Sequence, residues 1–116
     1  MIAPTVLADV DPDLSVSCEE VFGPVVVLER YSDFDSAVLR VNASKYGLQA
    51  AVFTHDERIV RRAFEELEVG GVIVNDSSML RVDNMPYGGV KASGSGREGV
   101  RYAMEEMTEP RVLVSR

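Results

Sequence analysis

The stretch that decides the fold is residues 19–28, EEVFGPVVVL, in which a polar turn leads directly into an apolar run. The run Val25–Leu28 is rich in β-branched side chains and predicts a strand buried on both faces, as in a parallel sheet. Before it, a Gly-Pro pair predicts a bend, because proline fixes φ and removes a hydrogen-bond donor. The bend lies just after the carboxylate of Glu20 and the ring of Phe22.

Two interpretations of this bend follow from the residues alone. In the first, it holds the Glu20 carboxylate and the Phe22 ring at the mouth of a sheet, where ligands of α/β proteins usually bind. In the second, it is only a polar turn that leads into a strand, and Phe22 packs in the core. The residues by themselves favour the second interpretation.

Strand-like segments recur along the chain and alternate with helical patterns. Besides Val25–Leu28, the expected strands cover residues 4–10, 48–54, 72–74 and 112–114. Over the middle of the chain the order is strand, helix, strand, helix, strand. This order predicts an α/β fold with a mostly parallel sheet flanked by helices.

Three helices are expected between these strands. The first two have start and stop signals at Ser32 and Gly47, and at Thr54 and Gly70. The third has an apolar stripe at helical spacing that begins at Val100, and Pro110 ends it. The first two helices are predicted to begin with a capping box, in which Asp35 and Glu57 stand three residues after the cap.

Residues 79–99 contain five glycines and are expected to form a loop of a length that is often functional. Within it, residues 94–99, GSGREG, match the GxGxxG pattern that holds a pyrophosphate in dinucleotide-binding folds. No clear strand leads into the match, so we interpret it as a turn that lets backbones approach closely. Arg81, Lys91 and Arg97 are either an anion site or solvated loop residues.

Composition and charge exclude several classes of function. The net charge of −7 argues against a nucleic-acid surface. A single cysteine and a single histidine argue against a disulfide or a zinc site, and neither Cys18 nor His55 has the setting of a catalytic group. No apolar run approaches the ~20 residues that span a bilayer, and residues 1–7 lack signal-peptide features. We therefore expect a cytoplasmic protein without a membrane partner.

Five longer motifs, taken in order, resemble the C-terminal part of the aldehyde dehydrogenase superfamily. They are EEVFGPV (19–25), YGLQAAVFT (46–54), VIVN (72–75), MPYGGVK (85–91) and SGSGREG (93–99). The resemblance covers nearly the whole chain. It implies the oxidation of an aldehyde to a carboxylic acid with NAD or NADP, in which a cysteine attacks the aldehyde and water later releases the acyl group.

The resemblance also implies roles for particular residues. Glu20 would hydrogen-bond the ribose next to the nicotinamide, and Phe22 would pack beside the nicotinamide ring. Tyr87 would line the substrate tunnel. Leu80 and Arg81 lie in the loop where the family sets aldehyde specificity, and an arginine there would suit an anionic aldehyde.

Other parts of the family pattern lie upstream of this sequence, namely the catalytic cysteine, the general-base glutamate, the oxyanion-binding asparagine and the Rossmann domain. We therefore expect no catalytic residue among the 116 and no activity from them alone. Residues 1–108 would be part of the catalytic domain, a C-terminal fragment of it, and residues 109–116 a strand that joins a neighbouring subunit in a homo-oligomer. The alternative is a stand-alone, non-catalytic α/β module for binding or assembly, derived from that family.

Overall fold

The computed structural model describes all 116 residues and contains six strands and four helices. The strands are β1 (Thr5–Ala8), β2 (Val25–Leu28), β3 (Tyr46–Gly47), β4 (Gln49–Val52), β5 (Gly71–Val74) and β6 (Val90–Lys91). The helices are α1 (Ser15–Cys18), α2 (Phe34–Ala43), α3 (Glu57–Glu66) and α4 (Val100–Glu106). The predicted α/β class is confirmed. The chain divides into two compact units, Met1–Lys45 and Tyr46–Arg116.

The strands form three two-stranded sheets rather than one. β1 pairs with β2 and β4 pairs with β5, both in parallel, whereas β3 and β6 pair antiparallel. The predominance of parallel pairing agrees with the prediction. The single sheet that the strand order suggested does not form, because β2 hydrogen-bonds to β1 and to no later strand.

In the first unit, β2 has the predicted bounds but not the predicted burial. Its side chains alternate between half-buried and exposed, and Val26 and Leu28 lie open to solvent. The expectation of a strand buried on both faces is therefore wrong for this chain, because no layer covers the second face of the β1–β2 pair. The residue of α2 that is deeply buried is Val38, which is 6% exposed.

Helix α2 begins at a different cap from the one predicted. The carboxylate of Asp33 accepts a hydrogen bond from the Ser36 N–H at 2.8 Å, and the Ser32 hydroxyl donates to the same carboxylate at 2.9 Å. The Ser36 N–H and then the Ser32 hydroxyl lower the pKa of Asp33 below its ordinary value. The helix ends at Ala43, and the predicted stop, Gly47, lies instead in β3.

In the second unit, α3 contacts β5 and buries Ala63 completely. Its cap is Asp56, whose carboxylate accepts from the Arg58 N–H at 2.9 Å, while Thr54 only accepts from the N–H of Asp56 at 3.1 Å. The predicted cap is therefore wrong here as well. The helix ends at Glu66, four residues before its predicted stop.

The end of the chain does not form the strand predicted at residues 112–114. Helix α4 ends at Glu106, and the following residues have no strand pairing. Val112, Leu113 and Val114 are all exposed, Leu113 to 93%. A strand needs a partner for its backbone groups, and no strand of this chain lies beside the segment. None of the four helices has the length and apolar character needed to cross a membrane.

Candidate functional site

Two consecutive tight turns shape the predicted bend before β2. The N–H of Gly23 donates to the carbonyl two residues before it, and the N–H of Val25 donates to the Gly23 carbonyl, both at 2.8 Å. Hydrogen bonds between residues two apart are typical of γ-turns, and Phe22 is the central residue of the first one. The N–H of Thr5 donates to the Pro24 carbonyl at 2.8 Å and attaches the bend to β1.

The two residues expected to contact the cofactor stand exposed on this bend. Phe22 is 93% exposed, so the interpretation that placed it in the core is wrong. The Glu20 carboxylate is exposed and makes no ion pair, whereas the neighbouring Glu19 pairs with Lys45 at 2.5 Å. A carboxylate and a ring that the unit does not use for its own packing are free to contact a ligand.

The aromatic and basic residues expected to contact the substrate are brought together in the second unit. The Cζ atom of Arg81 lies 4.4 Å from the centroid of the Tyr87 ring, a cation–π geometry. Its Nη2 atom donates to the Glu98 carboxylate at 2.7 Å. Tyr87 and Glu98 also exchange backbone hydrogen bonds of 3.2 and 2.6 Å. We call these three residues the Arg81 cluster.

The Arg81 guanidinium retains capacity to bind an anion. It carries five N–H donors in a planar fork, and one of its nitrogens is hydrogen-bonded to Glu98. The side chain is half exposed. The carboxylate offsets part of the positive charge, while the Tyr87 ring restricts the orientation of the plane. The cluster therefore offers an oriented, partly neutralised cation to solvent.

Two side-chain amides fix the segment that leads into the cluster. Asn75 exchanges hydrogen bonds of 2.8 Å with the backbone N–H and carbonyl of Thr54, and its φ of 57° lies in the left-handed region that asparagine tolerates. The Gln49 amide donates to the carbonyls of Ser78 and Leu80 at 2.6 and 3.2 Å. The backbone of Leu80 is thereby held while its side chain stays partly exposed.

The other basic residues of the glycine-rich loop have separate partners. Lys91 pairs with Glu68 at 2.8 Å. Arg97 donates from Nη1 to the backbone carbonyls of Gly96 and Gly89, at 2.7 and 3.1 Å. Neither arrangement leaves a shared site with Arg81, so the structure favours the alternative in which these residues do not jointly bind an anion.

The GxGxxG match is a structural turn. Gly94, Gly96 and Gly99 have φ values of 120°, 77° and 122°, a region that side chains rarely adopt. Helix α4, which follows, has only seven residues, and β6 before it is antiparallel to β3. No βαβ unit surrounds the match, so the structure favours its interpretation as a turn rather than a dinucleotide site.

Cys18 and His55 have no catalytic setting. The Cys18 thiol donates to the Pro12 carbonyl at 2.9 Å. It borders a cleft of about 770 Å³ in the first unit, where Arg40 is paired with Glu29 at 2.6 Å. His55 is exposed, and neither residue forms a hydrogen bond with a side chain that would activate it.

Residues 1–113 match the model of the aldehyde dehydrogenase family. The 3-sulfolactaldehyde dehydrogenase of Priestia aryabhattai is 54% identical over 111 residues, which are 96% of this chain and 23% of that enzyme. The crystal structure of aldehyde dehydrogenase 21 from Physcomitrella patens, in complex with the reaction product succinate, matches with a TM-score of 0.94 and 55% identity. That match covers 100% of this chain and 24% of the other.

A third match is the crystal structure of the glyceraldehyde-3-phosphate dehydrogenase GapN from Methanocaldococcus jannaschii, complexed with NADP. Its TM-score is 0.82 and its identity 49%, over 90% of this chain and 22% of the other. This chain therefore spans about a quarter of the length of the relatives it matches. The bend before β2 and the Arg81 cluster both lie within the residues that match the family.

Proposed function

The chain belongs to the aldehyde dehydrogenase family, and from this premise we propose that its residues form the C-terminal part of an enzyme that oxidises an aldehyde to a carboxylic acid with NAD or NADP. The observation that carries the proposal is the family match over residues 1–113. The similarity to an enzyme complexed with NADP supports the cofactor class.

The bend before β2 would hold the ribose and the nicotinamide. The exposed Glu20 carboxylate would accept hydrogen bonds from both ribose hydroxyls, and the exposed Phe22 ring would pack against the nicotinamide. The nicotinamide, when bound, accepts a hydride from the substrate. The contribution of these two residues would be to fix the distance and angle for that transfer.

The Arg81 cluster would face the aldehyde, with Leu80 beside it and Tyr87 lining the approach. We propose an aldehyde that carries an anionic group, because the guanidinium is half exposed and retains donors that Glu98 does not occupy. The names of two relatives agree with this class, since 3-sulfolactaldehyde and glyceraldehyde 3-phosphate are both anionic.

The nucleophile and the base would come from another part of the enzyme. Residues 1–108 would belong to its catalytic domain, and residues 109–116 would pair with a neighbouring subunit in a homo-oligomer. The exposed apolar side chains support a covering layer outside these residues; among them are Phe53, Phe64 and Leu113. We place the enzyme in the cytoplasm, without a nucleic-acid or membrane partner.

A comparison of two polypeptides tests the proposal. The long form is an enzyme that contains these residues and has the length of its relatives, and the short form is the isolated 116 residues. Both are assayed for NAD(P)H formation with 3-sulfolactaldehyde, glyceraldehyde 3-phosphate and an uncharged aldehyde. We expect turnover by the long form, best with an anionic aldehyde, and none by the short form. Turnover by the short form, or none by the long form with any aldehyde, would contradict the proposal. The second outcome would favour a non-catalytic binding or assembly module.

A further inference from the structure

The side chain of Gln49 reaches from the start of β4 to the segment that precedes Arg81. Its Nε2 atom donates to the carbonyl oxygens of Ser78 and Leu80, at 2.6 and 3.2 Å. A backbone carbonyl can only accept, so the nitrogen end of the amide must face the segment. One side chain thus holds two carbonyls that lie two residues apart.

Gly71 makes the room that this amide occupies. Gln49 and Gly71 are directly opposite each other in the β4–β5 pair. A Cβ atom at Gly71 would lie 2.9 Å from the Gln49 Oε1 atom and 3.4 Å from its Cγ, distances at which the amide would have to move. A side chain at this position of β5 would therefore displace the end of the glutamine.

The Gln49 amide makes its two hydrogen bonds at a cost to stability. Its Oε1 atom is buried and has no hydrogen-bond partner among the protein atoms. An unpaired buried acceptor destabilises the folded state, because it loses its hydrogen bonds to water and gains none in return. A residue that breaks a folding rule while it fixes a loop is typical of a functional site.

The two amides hold the segment at opposite ends of the strand pair. Gln49 is the first residue of β4, whereas Asn75 directly follows the last residue of β5. Gln49 is level with Gly71, four residues before Asn75, and each strand advances ~3.3 Å per residue, so the two amides are about 13 Å apart along the pair. The chain between Asn75 and Leu80 therefore runs back along the strands before it enters the Arg81 cluster.

We propose that Gln49 is a positioning residue for the aldehyde site, which sets the place of Leu80 and Arg81 through the carbonyls of Ser78 and Leu80. This inference rests on the proposed function, since it takes Leu80 and Arg81 as contacts of the aldehyde. Gln49 itself does not touch the substrate, because its free oxygen is buried.

Two substitutions in the full-length enzyme test the role. Gln49→Met keeps the length of the side chain without a donor, and Gln49→Glu keeps its shape but can only accept. We expect the KM for an anionic aldehyde to rise about tenfold in both, as loss of the two hydrogen bonds predicts. The KM for NAD(P) and kcat should stay within about twofold, because a contact equal in ground and transition state changes KM alone.

Further variants separate positioning from a general loss of stability. Gly71→Ala retains the amide but displaces it, so it should raise the same KM. If the Gln49 variants do not fold, the aldehyde KM of Gly71→Ala tests the role of Gln49 by itself. Glu65→Gln is the control. It also interconverts glutamate and glutamine, but it lies on the exposed face of α3, outside the segment that Gln49 holds, and should change neither KM.

Amide hydrogen exchange gives a readout that does not depend on turnover. In Gln49→Met and Gly71→Ala, residues 76–81 should exchange at least about tenfold faster than in the wild type, with the β4–β5 strands unchanged. Unchanged exchange there, or an unchanged aldehyde KM in both variants, would overturn the role of Gln49. A wild-type enzyme that oxidises no aldehyde would instead overturn the proposed function, whatever the exchange rates.

Discussion

The bend before β2 and the Arg81 cluster present their proposed ligand contacts in opposite ways. On the bend, backbone hydrogen bonds of 2.8 Å set the course of the chain and leave Glu20 and Phe22 without side-chain partners. In the cluster, Arg81 is held by an ion pair and a ring, and the segment before it is held by two amides. One region is fixed by its backbone and the other by its side chains.

This difference predicts how each region responds to mutation. A side chain on the bend contributes little to the fold, so its removal should affect only the ligand. A side chain of the cluster holds its neighbours, so its removal should also move them. The substitutions below, from the largest expected effect to the smallest, either break or sharpen this contrast.

Phe22→Ala should give the largest loss. We expect kcat of the full-length enzyme to fall about a hundredfold, since small misplacement of reacting groups has effects of that size. The melting temperature should stay unchanged, because the ring is 93% exposed. Phe64→Ala, at a phenylalanine that the proposed covering layer would bury, is the control: it should lower the melting temperature but retain full kcat. A large drop in melting temperature for Phe22→Ala would show that the bend depends on its side chains after all.

Arg81→Ala should affect one class of substrate. The KM for an anionic aldehyde is expected to rise about thirtyfold, as loss of a charge-assisted hydrogen bond predicts, while that for an uncharged aldehyde changes less than about threefold. Arg81→Lys retains the charge but loses the planar fork, so its effect should be intermediate. Equal effects of Arg81→Ala on both aldehydes would contradict a role in recognising the anion.

Leu113→Asp tests the C-terminal segment. This segment is held neither by backbone hydrogen bonds, as the bend is, nor by side chains, as the cluster is. A charge within an apolar strand that pairs across an interface should weaken subunit association about tenfold or more, because the carboxylate would be buried there. Sedimentation velocity of the full-length enzyme at several concentrations measures the effect. Leu113→Val keeps the edge apolar and should assemble normally. An unchanged assembly in the aspartate variant would exclude the segment from the interface.

Asp33→Ala should have the smallest effect, a slightly lower melting temperature with unchanged kinetics. The pKa of Asp33 is lowered in the folded state, chiefly by the Ser36 N–H. Its stabilisation is therefore complete above the unfolded pKa of about 3.9 and is lost as the pH falls through the lower folded value. The difference in melting temperature between wild type and variant should accordingly vanish in strong acid. A difference independent of pH would show that the cap does not act through its charge.

The sequence was sufficient for elements that a local pattern defines, but not for their exact starts. The β-branched run Val25–Leu28 is a strand with the predicted bounds. The cap of α2 was misplaced by one residue, because serine and aspartate are both favoured caps and only the geometry distinguishes Ser32 from Asp33. Burial on the second face of β2 failed for another reason, since that burial requires a layer this chain does not supply.

Interactions between distant residues were the part that the sequence did not reveal. Gln49 and its carbonyl partners are 29 and 31 positions apart, and Arg81 and Glu98 are 17 apart. No periodicity or motif links residues at such separations. Arg81 and Tyr87 were identified separately through a resemblance, and it is the structure that joins them around Glu98. The bend beside Glu20 and Phe22 was predictable because its Gly-Pro pair is local, but the residues alone wrongly favoured a buried Phe22.

The most direct test of the account is a crystal structure of the full-length enzyme with NAD⁺ or NADP⁺ bound. We predict that the Glu20 carboxylate accepts hydrogen bonds from the hydroxyls of the nicotinamide ribose, and that the Phe22 ring lies against the nicotinamide with the bend unchanged. A ribose held by other residues, with Phe22 turned into a protein interface, would contradict the assignment of the bend as the cofactor contact.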